Sequence, residues 1–126
     1  MPFYQTEIAQ TVIACAIEVH RGLGPGLLES AYRHCLAHEF DLRRIEFGRE
    51  VALPLVYKGR PLDCGYRCDF LINRELLLEI KAVDQLLPVH SAQVLSYLKL
   101  LGLRQGLLIN FNVPRLVDGL KSLVRP

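Results

Sequence analysis

Two acidic side chains and a lysine in the middle of the chain have the types and spacing needed for chemistry. Glu79 and Lys81 are two residues apart in the otherwise apolar run 76–82. Residues two apart in a β-strand point to the same face of the sheet. Charged groups in such a strand are costly to bury unless they have a partner or a metal. Asp69 precedes this run and can join the pair if the two segments form a hairpin.

The loop of that hairpin decides whether Asp69 faces Glu79. The numbers of facing residues in an antiparallel hairpin add to a constant, so this pairing requires an odd loop, most simply residues 73–75. A two-residue loop would set Asp69 opposite Leu78 and put the carboxylates on opposite faces, unless a bulge intervened. We therefore predict an odd loop or a bulge.

Two carboxylates and a lysine on one sheet face suit metal-assisted hydrolysis. Hard oxygen ligands hold Mg²⁺ or Mn²⁺ and leave positions open for water and a phosphate oxygen. A lysine there can orient the attacking water and stabilise developing negative charge. The alternative for Glu79 and Lys81 alone is a surface salt bridge, which contributes little and has no catalytic meaning.

Two polar patterns accompany this segment. Glu29 and Tyr32 are three residues apart near the start of a predicted helix, hence on one face. A lone Glu in a first turn is otherwise a favourable partner for the helix dipole. His90, Gln93 and Tyr97 form a polar stripe on a later helix, which either lines a pocket or faces solvent. His90 could approach the site from the N-terminal end of that helix.

Hydrophobic periodicity and the positions of glycine and proline predict the elements that carry these residues. The predicted helices span about 4–21, 27–42, 89–101 and 114–124, and the predicted strands 47–57, 62–72, 76–83 and 105–111. Lys58-Gly59 is predicted as a two-residue turn. The order ααβββαβα predicts an α/β, α+β-like fold with a mixed sheet flanked by helices.

Composition excludes several classes of protein. The 126 residues are 51% hydrophobic and carry a formal net charge of +2, which is typical of a folded chain and predicts one domain over 1–126. This charge is not that of a strongly basic nucleic-acid binder. No apolar run approaches the ~20 residues that span a bilayer, and the N-terminus lacks the features of a signal peptide. We expect a cytoplasmic protein without a membrane partner, whose four cysteines are reduced thiols rather than a zinc site.

Asp69 followed by Glu79-Ile80-Lys81, in an αβββαβ order, resembles the PD-(D/E)XK nuclease superfamily. The spacing Gly26-x-x-Glu29-x-x-Tyr32 resembles the signature of the GxxExxY protein family, which is assigned to that superfamily. The runs 20–26 and 93–98 are also similar to that family. The resemblance implies a restriction-endonuclease-like αβββαβ core with extra N-terminal and C-terminal helices. Cys68 stands where the superfamily name has proline.

The resemblance also implies roles for individual residues. Asp69 and Glu79 would ligate Mg²⁺ or Mn²⁺, with Glu29 and the Ile80 carbonyl as further ligands, and Lys81 would be the catalytic lysine. Gln93 and Tyr97 resemble the QxxxY element that lies near the active site and nucleic acid in exonuclease-like branches. With His90 and Tyr32, they are the expected substrate-binding residues.

Three functions follow as hypotheses. The first is a divalent-metal-dependent nuclease that hydrolyses phosphodiester bonds, in DNA rather than RNA. The second is a nuclease-fold protein that binds nucleic acid or a protein partner without cutting, because so short a chain has little to grip a duplex. A metal-free hydrolase of small molecules fits less well, since it gives Lys81 no role and the chain has no tryptophan to stack on a sugar. A homodimer, formed through the predicted closing helix, is expected to supply the missing substrate surface.

Overall fold

The computed structural model describes residues 6–126 of the chain. Over that range the helices are α1 (Glu7–Leu23), α2 (Glu29–Leu42) and α3 (Pro88–Leu101), with a short 3-10 helix at Leu116–Gly119. The strands are β1 (Phe47–Ala52), β2 (Leu55–Tyr57), β3 (Arg60–Leu62), β4 (Arg67–Ile72), β5 (Leu76–Lys81), β6 (Gln105–Asn110) and β7 (Leu120–Val124). Tyr4 and Gln5, the first residues of the predicted first helix, lie outside the described residues.

Five strands form one mixed sheet in the order β1-β4-β5-β6-β7. The neighbours β5 and β6 are parallel and are connected through α3, whereas the other neighbours are antiparallel. The expected α+β fold with a restriction-endonuclease-like core is therefore confirmed. None of the helices within 6–126 combines the length and apolar character needed to cross a bilayer.

Helices cover both faces of this sheet. One buried cluster joins α1 and α2 to Leu76, Leu78 and Ile80 of β5, and a second joins α3 to Leu77 of the same strand. Burial on both faces explains why β5 reads as a nearly continuous apolar run. By this alternation Glu79 and Lys81 point to the face covered by α3.

The first predicted strand divides in two at residues 53–54. Pro54 has no N–H to donate to a ladder, so β1 ends before it and β2 begins after it. β2 and β3 then form a separate two-stranded sheet in which Tyr57 pairs with Arg60. Lys58 and Gly59 both have positive φ, of 49° and 79°, which confirms the predicted two-residue turn.

The predicted closing helix over 114–124 is wrong. The chain there forms the 3-10 helix and then β7, which pairs antiparallel with β6 and so covers its edge. Gly119 permits this course, because a Cβ on it would overlap the Asn110 carbonyl oxygen. Leu120 and Leu123 pack against the two different clusters, as the period of a strand requires. The helical dimer interface expected here is therefore not formed.

Candidate active site

The predicted three-residue loop between β4 and β5 is confirmed. Ile72 pairs with Leu76 across residues 73–75, and the register continues to Phe70 opposite Leu78. Asn73 and Arg74 both adopt left-handed backbone angles, with φ of 51° and 58°, which allows the tight reversal. The next residues in this register are Asp69 and Glu79, so the loop brings the two carboxylates opposite each other.

The two strands part at Asp69 and Glu79, and side-chain oxygens replace backbone carbonyls as acceptors. The Asp69 backbone N–H donates to Glu79 Oε2 over 3.1 Å. The Ile80 N–H donates to Asp69 Oδ2 over 2.7 Å. These reciprocal hydrogen bonds lock the carboxylates together in the gap between the strands.

A distortion of the sheet edge accompanies this gap. Cys68 and Phe70 are both fully buried, but Cys68 packs with α3 and Phe70 with α1 and α2. Regular alternation would put them on the same face. Glu50, which the β1–β4 register sets opposite Asp69, has a φ of 49°, a backbone state that costs about 1–3 kcal/mol for a residue other than glycine. The Asp69 carboxylate therefore lies in the gap instead of standing on the face that Glu79 shares with Lys81.

The first turns of α2 approach the site from the side of the first cluster. Arg33 Nη1 lies 3.2 Å from Glu29 Oε1 and 3.6 Å from Asp69 Oδ1. Arg33 thus bridges the helix-borne acid and the strand-borne acid, and it provides a positive charge between them. Sequence reasoning missed Arg33, although its position four residues after Glu29 is the spacing of a helical ion pair.

Glu79 is the most strongly perturbed group of the site. Its side chain is only 4% exposed. Burial raises its pKa to about 9, and the hydrogen bond with the Asp69 side chain and the charge of that carboxylate act in the same direction. The Asp69 backbone N–H and the charge of Lys81 oppose this shift without cancelling it. At neutral pH the pair therefore retains a proton.

Lys81 and α3 complete the site on the other face of the sheet. The Lys81 ammonium donates to Gln93 Oε1 over 3.3 Å. Tyr97 is buried, and burial followed by the charge of Glu79 raises its pKa. His90 instead accepts a hydrogen bond from the Leu87 backbone N–H at Nδ1 over 2.9 Å, so it caps the start of α3. The structure brings Gln93 to Lys81 and Tyr97 within electrostatic reach of Glu79, and it gives His90 a different contact.

Tyr32 lies in the core. It is fully buried, and its ring stacks on Phe111 with centroids 4.5 Å apart. Its hydroxyl donates to the Gly24 carbonyl over 2.6 Å and accepts from the Leu27 N–H over 3.2 Å. These contacts hold the glycine-rich loop that leads into Glu29. The structure therefore gives Tyr32 a positioning contact and does not bring it to the open site.

Asn110 is a second residue that sequence reasoning missed. It is buried at the end of β6, where its side chain accepts from the Val83 N–H over 3.0 Å and donates to the Val83 carbonyl over 2.9 Å. The Phe111 N–H also donates to the Lys81 carbonyl over 2.9 Å. These bonds fix the end of β5 that carries Lys81. The sequence signal was an amide side chain within an apolar strand. Such a side chain indicates specific hydrogen-bond partners, because buried amides are normally fully hydrogen-bonded.

The donor chemistry fits a hard divalent cation. Asp69 and Glu79 present adjacent carboxylate oxygens, which Mg²⁺ and Mn²⁺ prefer as ligands. Within residues 6–126, no group of three or more His, Cys, Asp or Glu side chains is arranged to hold a metal ion. Glu29 does not complete such a group with Asp69 and Glu79. Its contact toward Asp69 runs through the Arg33 guanidinium, which lies between the two carboxylates. Cys15, Cys35, Cys64 and Cys68 are free thiols.

Comparison with known proteins identifies the superfamily of the chain. A family model described as the PD-(D/E)XK nuclease superfamily matches residues 6–123. The chain therefore belongs to the PD-(D/E)XK nuclease superfamily, and this membership indicates a nuclease-type function and nucleic acid as its kind of ligand. Nucleases of this superfamily generally use divalent metals. The narrower GxxExxY resemblance is not confirmed. Searches of curated proteins and of solved structures found no match.

Proposed function

We propose that this protein is a divalent-metal-dependent nuclease that hydrolyses phosphodiester bonds in DNA, within the GxxExxY group of its superfamily. The observation that carries the proposal is the junction of Asp69 and Glu79 at the parted ends of β4 and β5. There, two carboxylates share reciprocal backbone hydrogen bonds, and the buried one has a pKa of about 9. In a purely structural ion pair a buried carboxylate would face a cation, whereas Glu79 is buried against a second carboxylate.

Asp69 and Glu79 are the proposed ligands of Mg²⁺ or Mn²⁺, and Glu29 and the Ile80 carbonyl are the proposed additional ligands. When bound, such a cation supplies Lewis-acid stabilisation and a more acidic water. Glu29 can join only after its contact with Arg33 is released. The released guanidinium is then available to a phosphate oxygen, which it can bind through two parallel hydrogen bonds.

Lys81 is the proposed catalytic lysine. Its ammonium shares the α3 face with Glu79, and Gln93 holds it in place by accepting a hydrogen bond from it. From there it can donate to the attacking water or to the oxygen on which negative charge develops. Gln93, Tyr97 and His90 are proposed to line the path of the substrate along α3, whereas Tyr32 acts by holding the loop before Glu29.

A cleavage assay tests the proposal. Purified protein is incubated with labelled DNA and RNA, single-stranded and duplex, with Mg²⁺, with Mn²⁺ or with EDTA. We expect metal-dependent cleavage of DNA that falls by a factor of about 10² or more in Glu79→Gln and in Lys81→Ala, since each removes a group that stabilises the transition state. Lys99→Ala, at an exposed position of α3, is the matched control and should retain activity. Cleavage that survives both site substitutions would reveal a contaminating nuclease and end the proposal.

The Arg33 contacts favour one alternative. Arg33 already neutralises part of the charge of Glu29 and Asp69, as in a protein that binds nucleic acid or a protein partner without cutting. Calorimetric titration with Mn²⁺ separates the two functions, because only the nuclease requires binding that is lost in Asp69→Asn.

A cytoplasmic location and a homodimer stay predictions. Light scattering tests the homodimer.

A further inference from the structure

A hairpin arm, residues 55–67, consists of a separate two-stranded sheet and the segment that returns the chain to the first residue of β4. It contains β2, β3 and the turn that leads into Arg67 of β4. β2 and β3 pair with each other in their own two-stranded sheet. In the turn after β3, Asp63 Oδ1 accepts from the Gly65 N–H over 3.0 Å, which directs the chain back to the main sheet. The catalytic proposal leaves this arm without a role.

The arm carries the whole formal charge excess of the chain. It contains Lys58, Arg60 and Arg67 against the single acid Asp63, a balance of +2, which equals the net charge of the full sequence. The rest of the chain is therefore formally neutral. A local excess of positive charge attracts the negatively charged phosphate backbone of a nucleic acid.

Exposed aromatic rings accompany these cations. Tyr57 is 62% exposed and Tyr66 is 52% exposed, although tyrosines are usually more buried. The Lys58 ammonium lies 5.5 Å from the centroid of the Tyr57 ring, so a cation and an aromatic ring already stand together at the tip of the arm. Aromatic rings interleaved with basic side chains are the surface on which proteins bind unpaired bases and their phosphates.

The base of the arm adjoins the carboxylate junction. The Leu53 N–H donates to the Tyr66 carbonyl over 3.1 Å, and Arg67 begins β4 two residues before Asp69. The Tyr66 ring lies 6.2 Å from the ring of Tyr97, whose pKa is raised in part by the charge of Glu79. A strand held along the arm would therefore lead toward the carboxylates.

We propose that the hairpin arm is a binding site for single-stranded DNA. Its three cations contact phosphates, and Tyr57 and Tyr66 stack on bases. A duplex is the poorer ligand, because its bases are already stacked on each other and are not available to the tyrosines. Binding of the strand by the arm does not depend on the proposed nuclease function. Only the later cleavage of that bound strand rests on it.

Fluorescence anisotropy in EDTA measures binding without cleavage. The probes are a labelled 20-nucleotide oligo(dT) and a duplex of the same length. The arm variant is Lys58→Asn with Arg60→Gln, since Asn tolerates the positive φ at residue 58. We expect its affinity for oligo(dT) to fall by about 10- to 30-fold at 0.1 M salt, and the slope of log affinity against log salt to fall by about 1.4. Tyr57→Leu and Tyr66→Leu should each weaken binding by about fivefold or more.

Lys99→Gln with Lys121→Gln is the matched control. Both lysines are exposed, and Lys121 lies on β7, at the opposite edge of the sheet from β1. This variant should bind within twofold of wild type, and thermal melting should show that all variants are folded. Unchanged affinity in the arm variant, an equal loss in the control, or tighter binding of the duplex would each overturn the assignment.

The binding experiment in EDTA tests the arm separately from the nuclease function. Cleavage by wild-type protein with normal binding by the arm variant would reject the arm and leave the nuclease. Binding that depends on the arm, without cleavage under any metal, would reject the nuclease and leave the arm.

Discussion

Replacing Glu79 with glutamine should change how the stability of the metal-free protein depends on pH. Glutamine has the shape of a protonated glutamic acid, so it can accept from the Asp69 N–H and donate to the Asp69 carboxylate without carrying charge. Wild-type protein must instead keep a proton on the Asp69–Glu79 pair or bury an additional negative charge. We expect Glu79→Gln to become progressively more stable than wild type as pH rises.

The sign follows from proton linkage. The pKa of Glu79 is raised from 4.5 to about 9, so between these values the native state binds a proton that the unfolded state has released. The stability that this proton contributes is complete below pH 4.5, and it decreases as pH rises toward 9. The slope is at most about 1.4 kcal/mol per pH unit. From pH 6 to pH 8, wild type should lose about 2–3 kcal/mol relative to Glu79→Gln.

Urea unfolding of both proteins at several pH values, in EDTA, measures this difference. Titrating groups that do not interact with Glu79 contribute equally to both proteins and cancel in the difference. Glu18→Gln, at an exposed position of α1, controls for the loss of one negative charge. If the wild-type and Glu79→Gln curves stay parallel across this pH range, the buried proton does not exist and the electrostatic argument for the site is refuted.

Three further predictions concern the site and its support. Below the pKa of Glu79, Mn²⁺ affinity should rise by up to about tenfold for each unit of increasing pH, because binding expels one proton. Calorimetry in buffers of different ionisation enthalpy counts that proton. Binding without proton release would contradict this prediction. Arg33→Gln should tighten Mn²⁺ binding by about fivefold, since it removes a positive charge 3.6 Å from Asp69, whereas Arg33→Lys should not. Tyr32→Phe should lower the free energy of unfolding by about 1–3 kcal/mol, because the Gly24 carbonyl and the Leu27 N–H lose their partner, and urea unfolding would show no change if water replaced the hydroxyl.

Local pattern was enough to predict much of this protein. Helical periodicity located α1, α2 and α3, and the apolar runs located β5 and β6, because these signals depend on residues close in sequence. The requirement that Asp69 face Glu79 also predicted an odd loop or a bulge, and the loop at 73–75 is odd. The approach of Asp69 to Glu79 and the face shared by Glu79 and Lys81 were therefore predicted by local pattern, whereas the parting of the strands at these residues was not.

Tertiary structure decided what local pattern leaves open. Residues 120–124 have no strong preference between helix and strand, and the free edge of β6 selected the strand. The contact of Arg33 with Asp69 and the burial of Tyr32 depend on how α2 packs against the sheet. The pKa of Glu79 depends on burial by both strands and α3 together, and sequence does not encode burial residue by residue. The sequence by itself determined which groups could do chemistry, and the packing of distant segments determined their charge and their partners.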